Sequence, residues 1–178
     1  MKADELRSIQ TPLKERYRED PKAALITLKA QGRIGEGITC KVETGKAVVD
    51  AGLHPATGGN GLNACSGDML LEALAACAGV TLGAVATSIG VTIGEANVRA
   101  EGDLDFRGTL GVSKEVPVGF QRIRLIFDLE TDASEDQLAT LIRLTERYCV
   151  VYQTLRCSPE INVSHRATSP SAASGSPA

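Results

Sequence analysis

The residues best suited to covalent chemistry in this 178-residue sequence are its cysteines. There are five, namely Cys40, Cys65, Cys77, Cys149 and Cys157. No two of them form a Cys-x-x-Cys pair, and only His54 and His165 could add an imidazole, so we expect no structural zinc site, other metal or cofactor. The charged N-terminus has no apolar signal segment, which predicts a cytoplasmic protein whose thiols stay reduced.

Two of the cysteines stand in settings that favour reactivity. Cys77 lies in the middle of a predicted helix, on a face of small residues that leaves room for a ligand or a second sulfur. The alternative is that Cys77 is a small buried hydrophobic residue. Cys149 lies between two predicted helices, where free backbone N–H groups and the nearby Arg147 can stabilise a thiolate. Spacing alone does not show whether the two sulfurs meet.

The elements that must position these cysteines form an α+β pattern in the order β-β-β-α-β-β-α-β. Strands are predicted over 22–31, 36–43, 46–50, 91–106, 120–130 and 161–165, with a glycine-punctuated turn at 32–35. Helices are predicted over 66–88, 134–147 and 150–155. The chain then divides into a helical N-terminal extension over 1–21, a domain over 22–167 and a disordered tail over 168–178.

Local signals mark where three helices begin. Thr11 followed by Pro12 is typical of a helix start, and Ser66 is a candidate N-cap with Asp68 in the first turn. Ser134 and Gln137 have the spacing of a capping box.

The predicted helix over 66–88 indicates an oligomer. It is apolar on nearly every face, and Ala75, Gly79 and Gly83 form a ridge of small residues that permits close approach of a second helix. Because a protomer of this size rarely surrounds so long a helix, we expect an obligate homodimer.

Composition argues against two other classes of partner. The net charge is −3, aromatic residues make up 3% of the chain and tryptophan is absent, so nucleic acid is not an expected partner. The charge-free stretch at 73–86 is short and rich in alanine and glycine, so no membrane span is expected.

Two segments together resemble the OsmC/Ohr family. The stretch SGDMLLEALAACAGVTL at 66–82 resembles the central helix of that family, in which a Leu/Ala-rich sequence carries the first cysteine. The stretch ERYCVVYQTL at 146–155 resembles the family's second motif, a Cys-Pro-Val-Ser-like turn followed by leucine. The predicted order of elements also matches, and the similarity covers about residues 22–165.

The resemblance implies an intertwined homodimer with two active sites at the subunit interface. It implies that Cys77 is the peroxidatic cysteine, that Cys149 is the resolving cysteine, and that Arg33 steadies the thiolate. The substrate class implied is an organic hydroperoxide, and the reductant is a thiol or dithiol. The resulting hypothesis is a two-cysteine, thiol-dependent peroxidase that acts in defence against oxidative stress.

The sequence departs from the family pattern at several positions. The family's peroxidases carry a glutamate before the first cysteine, where Gly67 stands here, and neither Asp68 nor Glu72 lies at the same angle around the helix. The second motif has Val150 and Tyr152 in place of its proline and serine. An alternative hypothesis therefore stays open: a dimer of the same fold that binds an apolar ligand or a thiol adduct without turning it over.

Overall fold

The structure is a computed structural model that describes residues 3–34, 40–42 and 51–166, with side chains over 8–27 and 51–166. The third strand expected at 46–50 and the tail at 168–178 lie outside the described residues, as does the side chain of Cys40. The helices are α1 (Ala3–Glu19), α2 (Ser66–Ile89), α3 (Phe106–Thr109), α4 (Glu135–Tyr148) and α5 (Val150–Arg156). The strands are β1 (Leu25–Ile34), β2 (Cys40–Val42), β3 (Ala96–Asp105) and β4 (Arg122–Leu129).

The described strands form one antiparallel sheet in the order β2-β1-β3-β4. Side chains alternate between its faces, and Val98 and Ala100 of β3 are fully buried against Leu71 and Leu74 of α2. One face of the sheet therefore packs on α2, and this packing confirms the expected α+β fold.

Helix α2 is the central element of the fold and packs against β1, β3, α4 and α5. It ends at Gly90, whose φ of 71° is the left-handed conformation that glycine adopts without strain. By length and composition α2 could cross a membrane, with a mean hydropathy of 1.9, although the core helix of a soluble protein passes the same test. Its outward face leaves Met69, Ala73 and Val80 exposed.

One of the two predicted helix starts at 66 and 134 is confirmed in full, and the other is confirmed in part. Asp68 lies in the first turn of α2 as expected, but Ser66 is the first helical residue and the N-cap is Cys65, which makes no side-chain capping bond. The capping box of Ser134 and Gln137 is confirmed at the start of α4. These outcomes show that a paired signal locates a helix start better than a single serine does.

Helix α1 begins at Ala3 rather than at Thr11, so Pro12 lies inside it. A proline inside a helix lacks the amide that would donate to the preceding turn. The Tyr17 hydroxyl donates a hydrogen bond of 2.7 Å to the carbonyl of Ala56, and the buried Tyr17 ring packs with Phe106.

Two strand predictions were wrong. Strand β1 continues through Gly32 and Arg33 to Ile34, because these residues keep pairing with β3, so the predicted turn at 32–35 is largely strand. The last strand, predicted at 161–165, is not formed. Ile161 and Val163 are 81% and 91% exposed, and within the described part of the chain no strand pairs with this segment.

Candidate active site

Cys149 joins two helices. It is the C-cap of α4, with its N–H donating to the carbonyl of Thr145 at 2.9 Å, and it is also the N-cap of α5. Its Sγ accepts a hydrogen bond of 3.4 Å from the N–H of Tyr152. The side-chain amide of Gln153 donates back to the carbonyl of Glu146 at 2.7 Å, so the turn between the helices is fixed from both sides.

The structure brings Cys77 and Cys149 together. Cys77 lies midway along α2 and is half-buried, whereas Cys149 is completely buried in the cluster around Leu71 and Leu74. The two side chains interact closely enough for the Cys149 thiol, acting as a donor, to lower the pKa of Cys77, while the pKa of Cys149 is raised in turn. Both cysteines are free thiols, so the pair is in its reduced form.

The sulfur of Cys77 is surrounded by hydrogen-bond donors. Burial by itself would raise the pKa of Cys77, but the N–H groups of Val151 and Val150, the thiol of Cys149 and the hydroxyl of Thr81 bond to the sulfur. Together these donors outweigh burial and hold the pKa of Cys77 below the ordinary value of a thiol. Cys77 is therefore the member of the pair that ionises first.

In Cys149, unlike Cys77, the effect of burial on the pKa is larger than that of the hydrogen-bond donors. Burial is the largest effect and raises its pKa to about 11, and the negative charge of a neighbouring Cys77 thiolate raises it further, against a smaller lowering by the N–H of Tyr152. Near neutral pH Cys149 is thus a protonated thiol beside a more acidic partner. The two thiols of the pair therefore differ in acidity, and Cys77 is the more acidic of them.

Arg33 lies in β1, where it pairs with Lys41 of β2 and with Asn97 of β3. Its side chain is not among those that the structure describes. In β3 the neighbours of Asn97, Ala96 and Val98, are buried on the side of the sheet that faces α2. Because positions alternate along a strand, the register places Arg33 on the opposite sheet face from α2.

The start of α2 carries the carboxylates closest to the family's missing glutamate. Burial raises the pKa of Asp68, which the charge of His54 partly offsets, and burial also raises the pKa of Glu72, with Asp68 adding to the effect. Neither residue bonds to the cysteine pair in the structure. Among the described residues, no three His, Cys, Asp or Glu side chains are grouped so that they could hold a metal ion.

Sequence reasoning recognised the face of small residues around Cys77, which includes Thr81, but it did not predict that this face and α5 supply hydrogen-bond donors. Thr81 follows Cys77 by four positions, one helical turn, and this spacing puts its hydroxyl on the same face as the thiol. Helix α5 begins next to the middle of α2, so the N–H groups of Val150 and Val151 lower the pKa of Cys77. No local pattern in the sequence predicts that placement.

Comparisons with known proteins agree on one family. A family model described as OsmC-like protein matches residues 58–164, more than half of the chain. An OsmC-like hydroperoxide resistance protein from Jannaschia sp. CCS1 matches with a TM-score of 0.54 at 18% identity, covering 84% of this chain and 97% of that one. An OsmC-like protein from Mycoplasma pneumoniae matches with a TM-score of 0.53 at 16% identity, covering 75% and 86%. A search of curated proteins gives no significant match.

The hydrogen bond from Thr81 makes a specific prediction about the acidity of Cys77. Thr81→Val keeps the side-chain shape but removes the hydroxyl, so the thiolate loses a donor and its pKa rises. Because Thr81 has the smallest of the four lowering effects, we expect a modest shift of the titration toward higher pH. The measurement is the pH dependence of iodoacetamide alkylation at Cys77, followed by mass spectrometry.

The matched control is Thr87→Val on the same helix, where the hydroxyl bonds the carbonyl of Gly83 at 2.8 Å and the side chain is exposed. This variant should leave the alkylation profile unchanged. An equal shift in both variants would show that the effect comes from helix stability and not from the bond to sulfur.

Proposed function

The chain belongs to the OsmC-like protein family, and on that premise we propose that it is a thiol-dependent peroxidase that reduces organic hydroperoxides with Cys77 and Cys149. The observation that carries the proposal is the hydrogen-bonded cysteine pair, in which the pKa of Cys77 is lowered and that of Cys149 is raised. A peroxidase of this kind requires one thiolate for attack and one thiol nearby for resolution.

In the first step the Cys77 thiolate attacks the terminal oxygen of the hydroperoxide. The S–O bond forms as the O–O bond breaks, and the leaving alkoxide takes up a proton from solvent to become the alcohol. Cys77 is left as a sulfenic acid. Attack requires access to the sulfur, and Cys77 is the half-buried member of the pair.

In the second step Cys149 condenses with the sulfenic acid. The S–S bond forms, the S–O bond breaks, and the proton of the thiol leaves with the hydroxyl as water. Because Cys149 already donates its hydrogen to the Cys77 sulfur, little movement is needed. An external thiol or dithiol then returns the disulfide to two thiols by exchange, a step that suits a reducing cytoplasm.

We propose that the protein acts as a homodimer in which a second copy covers the exposed face of α2. That face includes Met69, Ala73 and Val80, and Val150 of the neighbouring helix α5 is 71% exposed. The apolar residues Ile161 and Val163 are also exposed. A contiguous apolar surface of this kind is typical of a protein–protein interface.

In this dimer we assign Arg33 to the active site of the other subunit. The register places Arg33 on the sheet face opposite α2, whereas Cys77 of the same chain lies on α2. A positive charge supplied across the interface would further stabilise the thiolate.

An alternative function is the binding of a ligand without turnover. Gly67 favours this alternative, because the carboxylate that would orient Arg33 is missing at that position. The donors already present around Cys77 favour the peroxidase. Consumption of an organic hydroperoxide in the presence of a dithiol separates the two functions.

The cysteine roles predict three distinct outcomes with cumene hydroperoxide and dihydrolipoamide. Cys77→Ser should reduce consumption to background, because the nucleophile is gone. Cys149→Ser, assayed without the dithiol, should consume about one equivalent per subunit and leave a sulfenic acid that dimedone traps. Cys157→Ser is the control, since this exposed cysteine lies at the far end of α5, and it should keep full activity. A wild-type protein that consumes no hydroperoxide would leave only the binding function.

The dimer makes a prediction about assembly. Val80→Glu places a charge on the exposed face of α2, so burial against a second copy would cost several kcal/mol. Sedimentation velocity at micromolar concentration should show a wild-type dimer and a mostly monomeric variant. Arg143→Glu, on the exposed side of α4, should stay dimeric. A folded wild-type monomer at these concentrations would contradict the proposal.

The assignment of Arg33 predicts complementation between two inactive subunits. Arg33→Ala should slow Cys77 alkylation about tenfold at neutral pH, and Cys77→Ser should be inactive. If Arg33 acts across the interface, a mixed dimer of the two variants regains one complete site, so its activity approaches half of wild type. If Arg33 acts within its own chain, the mixed dimer stays as slow as Arg33→Ala.

A further inference from the structure

The backbone ladder of hydrogen bonds is interrupted where α4 passes into α5. In a continuous α-helix the N–H of Val150 would donate to the carbonyl of Glu146, four residues earlier. Cys149 breaks this ladder, because its ψ of 108° is that of extended backbone. The N–H of Val150 is thereby turned away from α4 and acts as a donor to the sulfur of Cys77. The N–H of Val151, the next residue, acts on the same sulfur.

The interruption takes the helical donor away from the carbonyl of Glu146. Glu146 is half-buried, and a carbonyl that is shielded from water needs another donor. The side-chain amide of Gln153 supplies it, since its Nε2 donates to that carbonyl at 2.7 Å. The backbone N–H of Gln153 also donates to the carbonyl of Cys149 at 2.9 Å. Gln153 therefore binds the chain both before the break and at the break.

The carbonyl of Glu146 thus has two possible donors. The N–H of Val150 would continue α4 without a break, and the side-chain amide of Gln153 takes its place in the structure. Because a donor already occupies the carbonyl, the N–H of Val150 gains little by returning to it, and it stays on the sulfur of Cys77. The placement of that N–H therefore depends on a side chain three residues further along the helix.

We infer that Gln153 is a positioning residue for the Cys77 thiolate: by occupying the carbonyl of Glu146 it keeps the first N–H groups of α5 directed at the sulfur. Its effect on Cys77 passes through the backbone of α5. The inference rests on the proposed peroxidase function for its role, because attack on a hydroperoxide requires the thiolate. It deepens that function by naming a residue outside the reacting pair that sets how readily Cys77 ionises.

Gln153→Met tests this role, because methionine has a similar length and favours a helix but donates no hydrogen bond. In this variant the carbonyl of Glu146 recovers the N–H of Val150 as its donor, so the sulfur of Cys77 loses that N–H. The pKa of Cys77 then rises. Alkylation of Cys77 by iodoacetamide at neutral pH should slow about three- to tenfold, the effect of one lost hydrogen bond. Above the raised pKa both proteins should react at the same rate, which mass spectrometry of the Cys77 peptide can measure.

The matched control is Thr154→Met, which puts the same side chain at the next position of α5, where residue 154 is exposed. It should leave the alkylation profile unchanged. Equal slowing in both variants would indicate a general loosening of α5 and would overturn the inference, as would a wild-type profile in Gln153→Met. Gln153→Ala removes the amide with a still better helix former, and it gives the same test if the methionine variant fails to fold.

A spectroscopic measurement follows the two N–H groups directly. In NMR spectra of reduced, isotope-labelled wild-type protein, the amide signals of Val150 and Val151 should shift as Cys77 ionises, and Cys77→Ser should abolish these shifts. In Gln153→Met the signal of Val150 should no longer respond to Cys77. A Val150 signal that responds equally in both proteins would overturn the inference, because Gln153 would then have no part in directing that amide.

Peroxide kinetics separate this inference from the proposed function. With cumene hydroperoxide, Gln153→Met should lower kcat/KM at neutral pH by the same factor as it lowers alkylation, and the two proteins should converge at high pH. Turnover by wild-type protein with an unchanged pH profile in Gln153→Met would overturn the positioning role and leave the peroxidase. Slower alkylation in Gln153→Met, with no hydroperoxide consumed by wild-type protein, would overturn the peroxidase and leave the positioning role.

Discussion

The hydrogen bond between the Cys149 thiol and the Cys77 sulfur is the interaction on which the site depends. It joins the middle of α2 to the turn between α4 and α5, two places separated in the chain by the whole of β3 and β4. The two sulfurs have unlike surroundings. Several donors act on the half-buried Cys77, whereas Cys149 is completely buried in an apolar cluster. A difference in environment alone thus gives two identical residue types different acidities.

The packing around α2 keeps Cys149 fully buried and leaves Cys77 half-buried. The small residues of α2 allow β3 and α5 to lie close to it, and Ala75 and Ala78 are completely buried there. Close packing of this kind excludes water from Cys149, so its pKa rises. A hydrogen bond from Gln153 to α4 fixes the start of α5. Its first amides therefore stay near Cys77 and lower the pKa of that thiol.

Parts of this arrangement could be predicted from the sequence because they depend on local signals. The length of α2 and the capping box of Ser134 follow from composition and spacing within one segment. The end of β1 could not be predicted, since Gly32 and Arg33 remain in the strand through pairing with β3. The meeting of Cys77 and Cys149 was expected only through the family resemblance, and the approach of the α5 amides to Cys77 depends on tertiary packing that no local signal specifies.

One consequence follows from the double capping role of Cys149. Its sulfur accepts the N–H of Tyr152 and so helps to start a helix of seven residues, which is too short to persist by itself. Any change in the bonding of that sulfur therefore alters the stability of α5. Tyr152 and Leu155 belong to that helix, and together with Leu74 and Phe120 they line a groove of about 300 Å³. The bonding of a single sulfur atom is in this way coupled to the shape of a concave surface of the protein.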